Sequence, residues 1–169
     1  VKAMSMRLSI DYAGTYEECS GGQYAFGGIT SPFGDGVASG KFISCTGDSG
    51  SFGGQGIASG TFINCTGGHG LFGSGGIASG TFTDCTSGDF SFGGGYGGTT
   101  ASGTFRDCTG GDYAFGGQGT ASGAFTNCTG GLGAFGFRVL ASGTFTNCTG
   151  GMYAFAAEGT ASGTFTGCI

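Results

Sequence analysis

The chain has 169 residues, 44 of them glycine, 17 phenylalanine and 8 cysteine, with a formal net charge of −5 and only 9% charged residues. Glycine at about a quarter of the chain, against a usual ~7%, combines with a single proline to exclude collagen, and the evenly recurring aromatics exclude low-complexity disorder. The five basic residues (Lys2, Arg7, Lys41, Arg106, Arg138) are scattered, which excludes a phosphate-binding surface and so a nucleic-acid partner, and no apolar run approaches the ~20 residues of a membrane span.

The first segment, 1–12, stands apart. Met4, Met6, Leu8, Ile10 and Tyr12 alternate with Ser5, Arg7, Ser9 and Asp11, the pattern of a half-buried strand. It is expected to cap the repeats that follow, 13–169, or to be donated as a strand to another copy. The opening Val1 carries no signal-peptide pattern, which fits a removed leader or a piece of something longer.

From Gly14 onward the chain repeats. A degenerate copy, Gly14-Thr15-Tyr16-Glu17-Glu18-Cys19, is followed by copies whose best form reads ASGTFTNCTGGxxAFGGxGT. The opening alanines are Ala38, Ala58, Ala78, Ala101, Ala121, Ala141 and Ala161, spaced by 20 except for one step of 23. A period of this size is the mark of a solenoid. Three ladders follow from the register. The first is aromatic: Tyr16, Phe42, Phe62, Phe82, Phe105, Phe125, Phe145 and Phe165. Three residues further on lie Cys19, Cys45, Cys65, Cys85, Cys108, Cys128, Cys148 and Cys168. Seven residues after each cysteine except the last comes a second phenylalanine: Phe26, Phe52, Phe72, Phe92, Phe115, Phe135 and Phe155. Length varies only beyond that residue, near Thr30–Asp35 and Gly95–Gly97, so the insertions belong to loops on one edge.

Strands suit these repeats better than helices, because glycine costs a helix ~1 kcal/mol each and Thr-Phe-Thr favours a half-buried strand. Alternation points Phe82 inward and Thr81 and Thr83 outward. Phe82 and Cys85 are three apart, so a bend is needed between them for both to face inward. The residue before each cysteine is Glu18, Ser44, Asn64, Asp84, Asp107, Asn127, Asn147 or Gly167, mostly types that tolerate the left-handed conformation of a corner. The expected fold is all-β: a parallel β-solenoid of eight coils, about 20 residues each, flattened with two sides, two short strands per coil, and Phe and Cys ladders inside. One coil alone buries too little to offset the ordering of its backbone at about 1–2 kcal/mol per residue, so stability must come from stacking.

Each cysteine belongs to a different coil, with its nearest cysteines directly above and below. That arrangement favours a column of buried thiols over vertical disulfides. Zinc is disfavoured because no Cys-x2-Cys pair exists, and neither a metal nor any other cofactor is expected. Matching acids on neighbouring coils, Asp84 with Asp107 and Asp89 with Asp112, are the one weak candidate for Ca²⁺; polar corners partly neutralised by Arg106 are the plainer reading. His69, the only histidine, lies in a glycine corner without triad partners. No catalytic residue is assigned, and the chain is expected not to be an enzyme.

Threonine marks the outside. The pairs Thr81/Thr83, Thr144/Thr146 and Thr164/Thr166, with a column Thr46, Thr66, Thr86, Thr109, Thr129 and Thr149, resemble the Thr-x-Thr arrays of insect β-solenoid antifreeze proteins, although Lys41, Ile43, Ile63, Arg106 and Ala124 interrupt them. The resemblance implies an ice-binding face. As a whole, the glycine-rich repeat resembles the solenoids of phage tail fibres and bacterial surface fibres. That resemblance implies a structural fibre component, extracellular or on a virion surface, with a second copy of the chain as partner in a head-to-tail homopolymer or with the chain as a segment of a longer fibre. The repeat runs at full strength to Thr166-Gly167-Cys168-Ile169, which suits such stacking. An ice-binding or glycan-binding solenoid is the alternative.

Overall fold

The computed structural model describes residues 11–27, 36–96 and 98–169. It is a right-through stack of parallel strands. Thr15–Glu17, Lys41–Ile43, Thr61–Ile63, Thr81–Thr83, Thr104–Arg106, Ala124–Thr126, Thr144–Thr146 and Thr164–Thr166 form one eight-stranded sheet in chain order. Every pair is parallel and in register, so Phe82 lies between Phe62 and Phe105, and Phe125 between Phe105 and Phe145. A seven-stranded sheet from Val37–Ala38 to Thr160–Ala161 runs beside it and stacks the opening alanines. The two sheets meet at a Ser-Gly bend. The glycine of that bend is required by contact: a Cβ on Gly103 would sit 2.2 Å from the Gly80 carbonyl oxygen one coil below.

The expected β-solenoid is present, with two corrections to its coil. Six coils are complete, each carrying both strands, the cysteine and the second phenylalanine; the first and last of the eight rungs are partial, so a count of eight full coils was too high. The coil also has a third line of parallel pairing. Ser20–Gly21, Thr46–Gly47 and Thr66–Gly67 form a short sheet, continued by bridges through Thr86, Thr109, Thr129 and Thr149. Two strands and a two-sided coil therefore undercounted the pairing. The second phenylalanines lie in turns rather than on an opposite strand. Phe26, Phe52, Phe92 and Phe115 have φ of 50–51°, a left-handed conformation that costs of order 1–3 kcal/mol.

The core explains why that cost is tolerated. Rings of the first ladder stack on one another at 4.8–5.0 Å, nearly parallel, from Tyr16 to Phe165. The second ladder stacks at 4.8–5.4 Å from Phe26 to Phe155. Rings of the two ladders meet edge to face, as Phe125 does with Phe135 at 5.6 Å and 83°. Offset stacks and T-shaped pairs are the favoured arrangements of aromatic rings. The stacked alanines and cysteines fill the remaining interior.

The corner before each cysteine is as expected. Glu18, Ser44, Asn64, Asp84, Asp107, Asn127 and Asn147 all have φ of 47–52°. The turn there lets phenylalanine and cysteine, three apart, share the interior. The Gly95–Gly97 insertion lies beyond the second phenylalanine, with Tyr96 71% exposed. The strand expected over 1–12 and the loop expected over Thr30–Asp35 fall outside the described residues except for Asp11 and Tyr12. Asp11 bridges Val37 in parallel, and the Tyr12 ring packs 6.0 Å from both Tyr16 and Phe26.

Candidate functional site

Three features of the stack have chemical potential: the thiol column inside, the threonine and asparagine columns outside, and an aromatic edge. Seven cysteines, Cys19 to Cys148, are buried free thiols, and Cys168 is half-buried. The corner turn aims each sulfur inward and down. Cys65 Sγ donates to the carbonyl of Phe42 on the coil below or of Ile63 on its own coil, each at 3.4 Å. Cys85, Cys128 and Cys168 repeat the same pair of acceptors. Each thiol also feels the thiols of the neighbouring coils, and these neighbours and burial set its acidity. At Cys128 the contact with Cys108 pushes the pKa up and the contact with Cys148 pulls it down, and with burial added the result is about 12. At Cys85 the contact with Cys108 pulls down, but the contact with Cys65 and burial outweigh it, again giving about 12. At Cys108 the contact with Cys128 pulls down and the contact with Cys85 and burial outweigh it, to about 12. Cys65 is lowered, chiefly by its contact with Cys85.

On the outside, Thr81/Thr83, Thr144/Thr146 and Thr164/Thr166 share one face of the eight-stranded sheet in register. Lys41, Arg106 and Ala124 occupy the same columns, so the array is broken in space as it is in sequence. The corner column beside it is tied by side-chain bonds: Asn127 Nδ2 donates to Asp107 Oδ1 at 2.8 Å, and Asn147 Nδ2 to Asn127 Oδ1 at 3.4 Å.

The four aspartates divide between two corners. Asp84 and Asp107 precede their cysteines, whereas Asp89 and Asp112 lie on the turn before the second phenylalanine. Asp89 Oδ1 accepts from the Asp112 backbone N–H, and Asp112 Oδ1 from that of Leu132, both at 2.8 Å. These carboxylates clip one coil to the next. Among the described residues no group of three or more His, Cys, Asp or Glu side chains is placed to hold a metal ion. His69 is exposed, edge-on to Phe90 at 5.1 Å.

Sequence reasoning missed the aromatic edge. Phe90 stacks on Tyr113 at 5.3 Å and 14°, Tyr96 leans on both, and Phe137 links Tyr113 to Tyr153. Arg138 lies 4.9 Å over the Phe137 ring and pairs with Glu158 at 2.7 Å. The signal was available: five residues after each cysteine except the last stands either a glycine or an aromatic, in order Tyr24, Gly50, Gly70, Phe90, Tyr113, Gly133 and Tyr153. All seven have positive φ. Comparison of the chain with protein families, with curated proteins and with solved structures returns no match.

Proposed function

We propose that this chain is a non-catalytic structural rod, a fibre component of a virion or cell surface that stacks head to tail with further copies of itself. The observation that carries the reading is where regularity is kept. The inward rungs stack in register at nearly constant spacing through the whole eight-stranded sheet, while outward positions of the same strands vary from Thr to Lys, Ile, Arg and Ala. A binding face requires constancy on the outside; a rod requires it between coils. Rungs one strand spacing apart make a rod about 35 Å long. Whatever pairs one coil with the next can pair a coil of one copy with a coil of another, and a contact of that head-to-tail kind propagates without closing. The resemblance to tail-fibre and surface-fibre repeats supports the same reading. Burial of the thiols suits an oxidising exterior, because oxidation follows exposure.

Negative-stain microscopy and sedimentation over a concentration series test this. Filaments of uniform width that lengthen with concentration are expected. A monomer at every concentration refutes self-assembly. The in-register threonine columns favour ice binding as the second reading, and ice shaping in the same preparation would place it first.

A further inference from the structure

Asparagine occurs three times in the chain, as Asn64, Asn127 and Asn147, and always in the same setting: Asn-Cys-Thr at the corner that follows a strand of the eight-stranded sheet. Asn-x-Thr, with x other than proline, is the acceptor sequence for N-linked glycosylation. The threonine has its own structural reason to be there. Thr46, Thr66, Thr86, Thr109, Thr129 and Thr149 carry the third line of parallel pairing. An asparagine at the corner therefore completes an acceptor, whereas Ser44, Asp84 and Asp107 at the same place do not.

The fold presents these acceptors outward. The corner buries the middle residue and exposes its two neighbours: Cys65, Cys128 and Cys148 are 0% exposed, while Asn64, Asn127, Asn147, Thr66, Thr129 and Thr149 all lie on the surface. Each asparagine has φ of 50–52° and so stands on a turn rather than within a strand. Asn64 Nδ2 donates to Ser44 Oγ at 3.3 Å, Asn127 Nδ2 to Asp107 Oδ1 at 2.8 Å, and Asn147 Nδ2 to Asn127 Oδ1 at 3.4 Å. A carboxamide nitrogen carries two N–H groups, so replacing one of them leaves the other for this bond. We propose that this corner is an N-glycosylation surface, with Asn64, Asn127 and Asn147 as the acceptors.

The transfer joins Nδ2 to the anomeric carbon of an oligosaccharide whose leaving group is a lipid-linked diphosphate. The amide gives up one proton, and the diphosphate departs with the bonding pair. Donor and transferase belong to a secretory compartment, so the inference rests on the extracellular reading above. Transfer to the emerging chain precedes stacking; the fold has only to accommodate the product, and an exposed corner does so. Backbone bonds from Asn64 to Thr83, Asp84 to Arg106, Asp107 to Thr126 and Asn127 to Thr146 align these corners in one column. The glycans, bulky and hydrated, therefore stand off one side of the rod. Coils stack along its axis, so glycans and head-to-tail growth are compatible.

The test places a cleavable secretory leader before the full chain and translates it in the presence of microsomal membranes. Protease protection identifies chains that have reached the lumen, and gel shifts reversed by an endoglycosidase count their glycans. Three glycans are expected, one for each asparagine. Asn64→Gln and Thr66→Val should each remove one, Thr66→Ser should keep all three, and Asp84→Asn should add one, because Thr86 already stands two residues on. After detergent release, the glycosylated chain should resist limited proteolysis as well as chain made without membranes. The proposal is overturned by a protected chain that carries no glycan, by a count that Thr66→Val leaves unchanged, or by a glycosylated chain that is digested where the unmodified one resists. The rod reading fails separately: a chain that accepts three glycans yet stays monomeric refutes self-assembly alone, and filaments of a chain that accepts none refute the acceptors alone.

Discussion

Phe125→Ala tests the interior most directly. The ring is 1% exposed and touches four others. It stacks on Phe105 and Phe145, each at 4.8 Å and 3°, and meets Phe115 and Phe135 edge to face at 5.9 and 5.6 Å. Truncating a buried phenylalanine costs about 3–5 kcal/mol, and each aromatic pair adds about 0.5–1.5 kcal/mol beyond area burial. With four pairs lost, the upper end, about 4–5 kcal/mol, is expected. Phe165→Ala provides the gradient. That ring is 38% exposed and has one stacked and one edge-on partner, so about half the cost follows. Thr126→Ala, on the outward side of the same strand, should stay within about 0.5 kcal/mol of the parent. Urea unfolding followed by far-UV circular dichroism gives all three values. Equal costs at Phe125 and Phe165, or a Phe125→Ala loss under about 1 kcal/mol, would refute the continuous stack.

The other predictions concern the backbone, the thiols and the outer face. Gly103→Ala should destabilise by more than about 2 kcal/mol, because its Cβ would lie 2.2 Å from the Gly80 carbonyl oxygen; an unchanged melting temperature would disprove that contact. Cys85, Cys108 and Cys128 are raised from 9.0 to about 12, so above pH 9 the unfolded chain ionises these thiols and the folded one does not. Their stabilising contribution is complete below pH 9 and is lost as pH rises towards 12, at about 1 kcal/mol per thiol per pH unit. Urea midpoints at pH 7.5 and 10.5 measure the loss, and replacing the three cysteines by alanine should reduce it, the remainder coming from Cys45 and Cys148, which are also raised; a parent curve already flat to pH 10.5 contradicts the assignment. Thermal hysteresis should be absent at micromolar protein, since Lys41, Arg106 and Ala124 break the threonine columns, and faceted ice crystals would show otherwise.

The sequence by itself determined the solenoid, its register and its three ladders. Constant spacing from Phe82 to Cys85 to Phe92, repeated in coil after coil, leaves translation along one axis as the arrangement that buries every aromatic at once. The corner before each cysteine was equally legible, because two inward side chains three positions apart require a bend and Asn or Asp at that point permits it. Tertiary structure alone decided the rest. Nothing local marks Thr46 or Thr66 as paired, since their ladder exists only between coils. Phe115 is not a residue type that signals a left-handed turn, yet it adopts φ of 50° because its place between Phe92 and Phe135 outweighs the backbone strain. The acceptors of the cysteine ladder follow the same logic: Cys65 Sγ meets the Phe42 carbonyl of the coil below only because the rise between coils brings it there. Local spacing fixes what recurs within a coil, whereas contacts between coils depend on the rise and the packing of rings, which become definite only once the whole stack is formed.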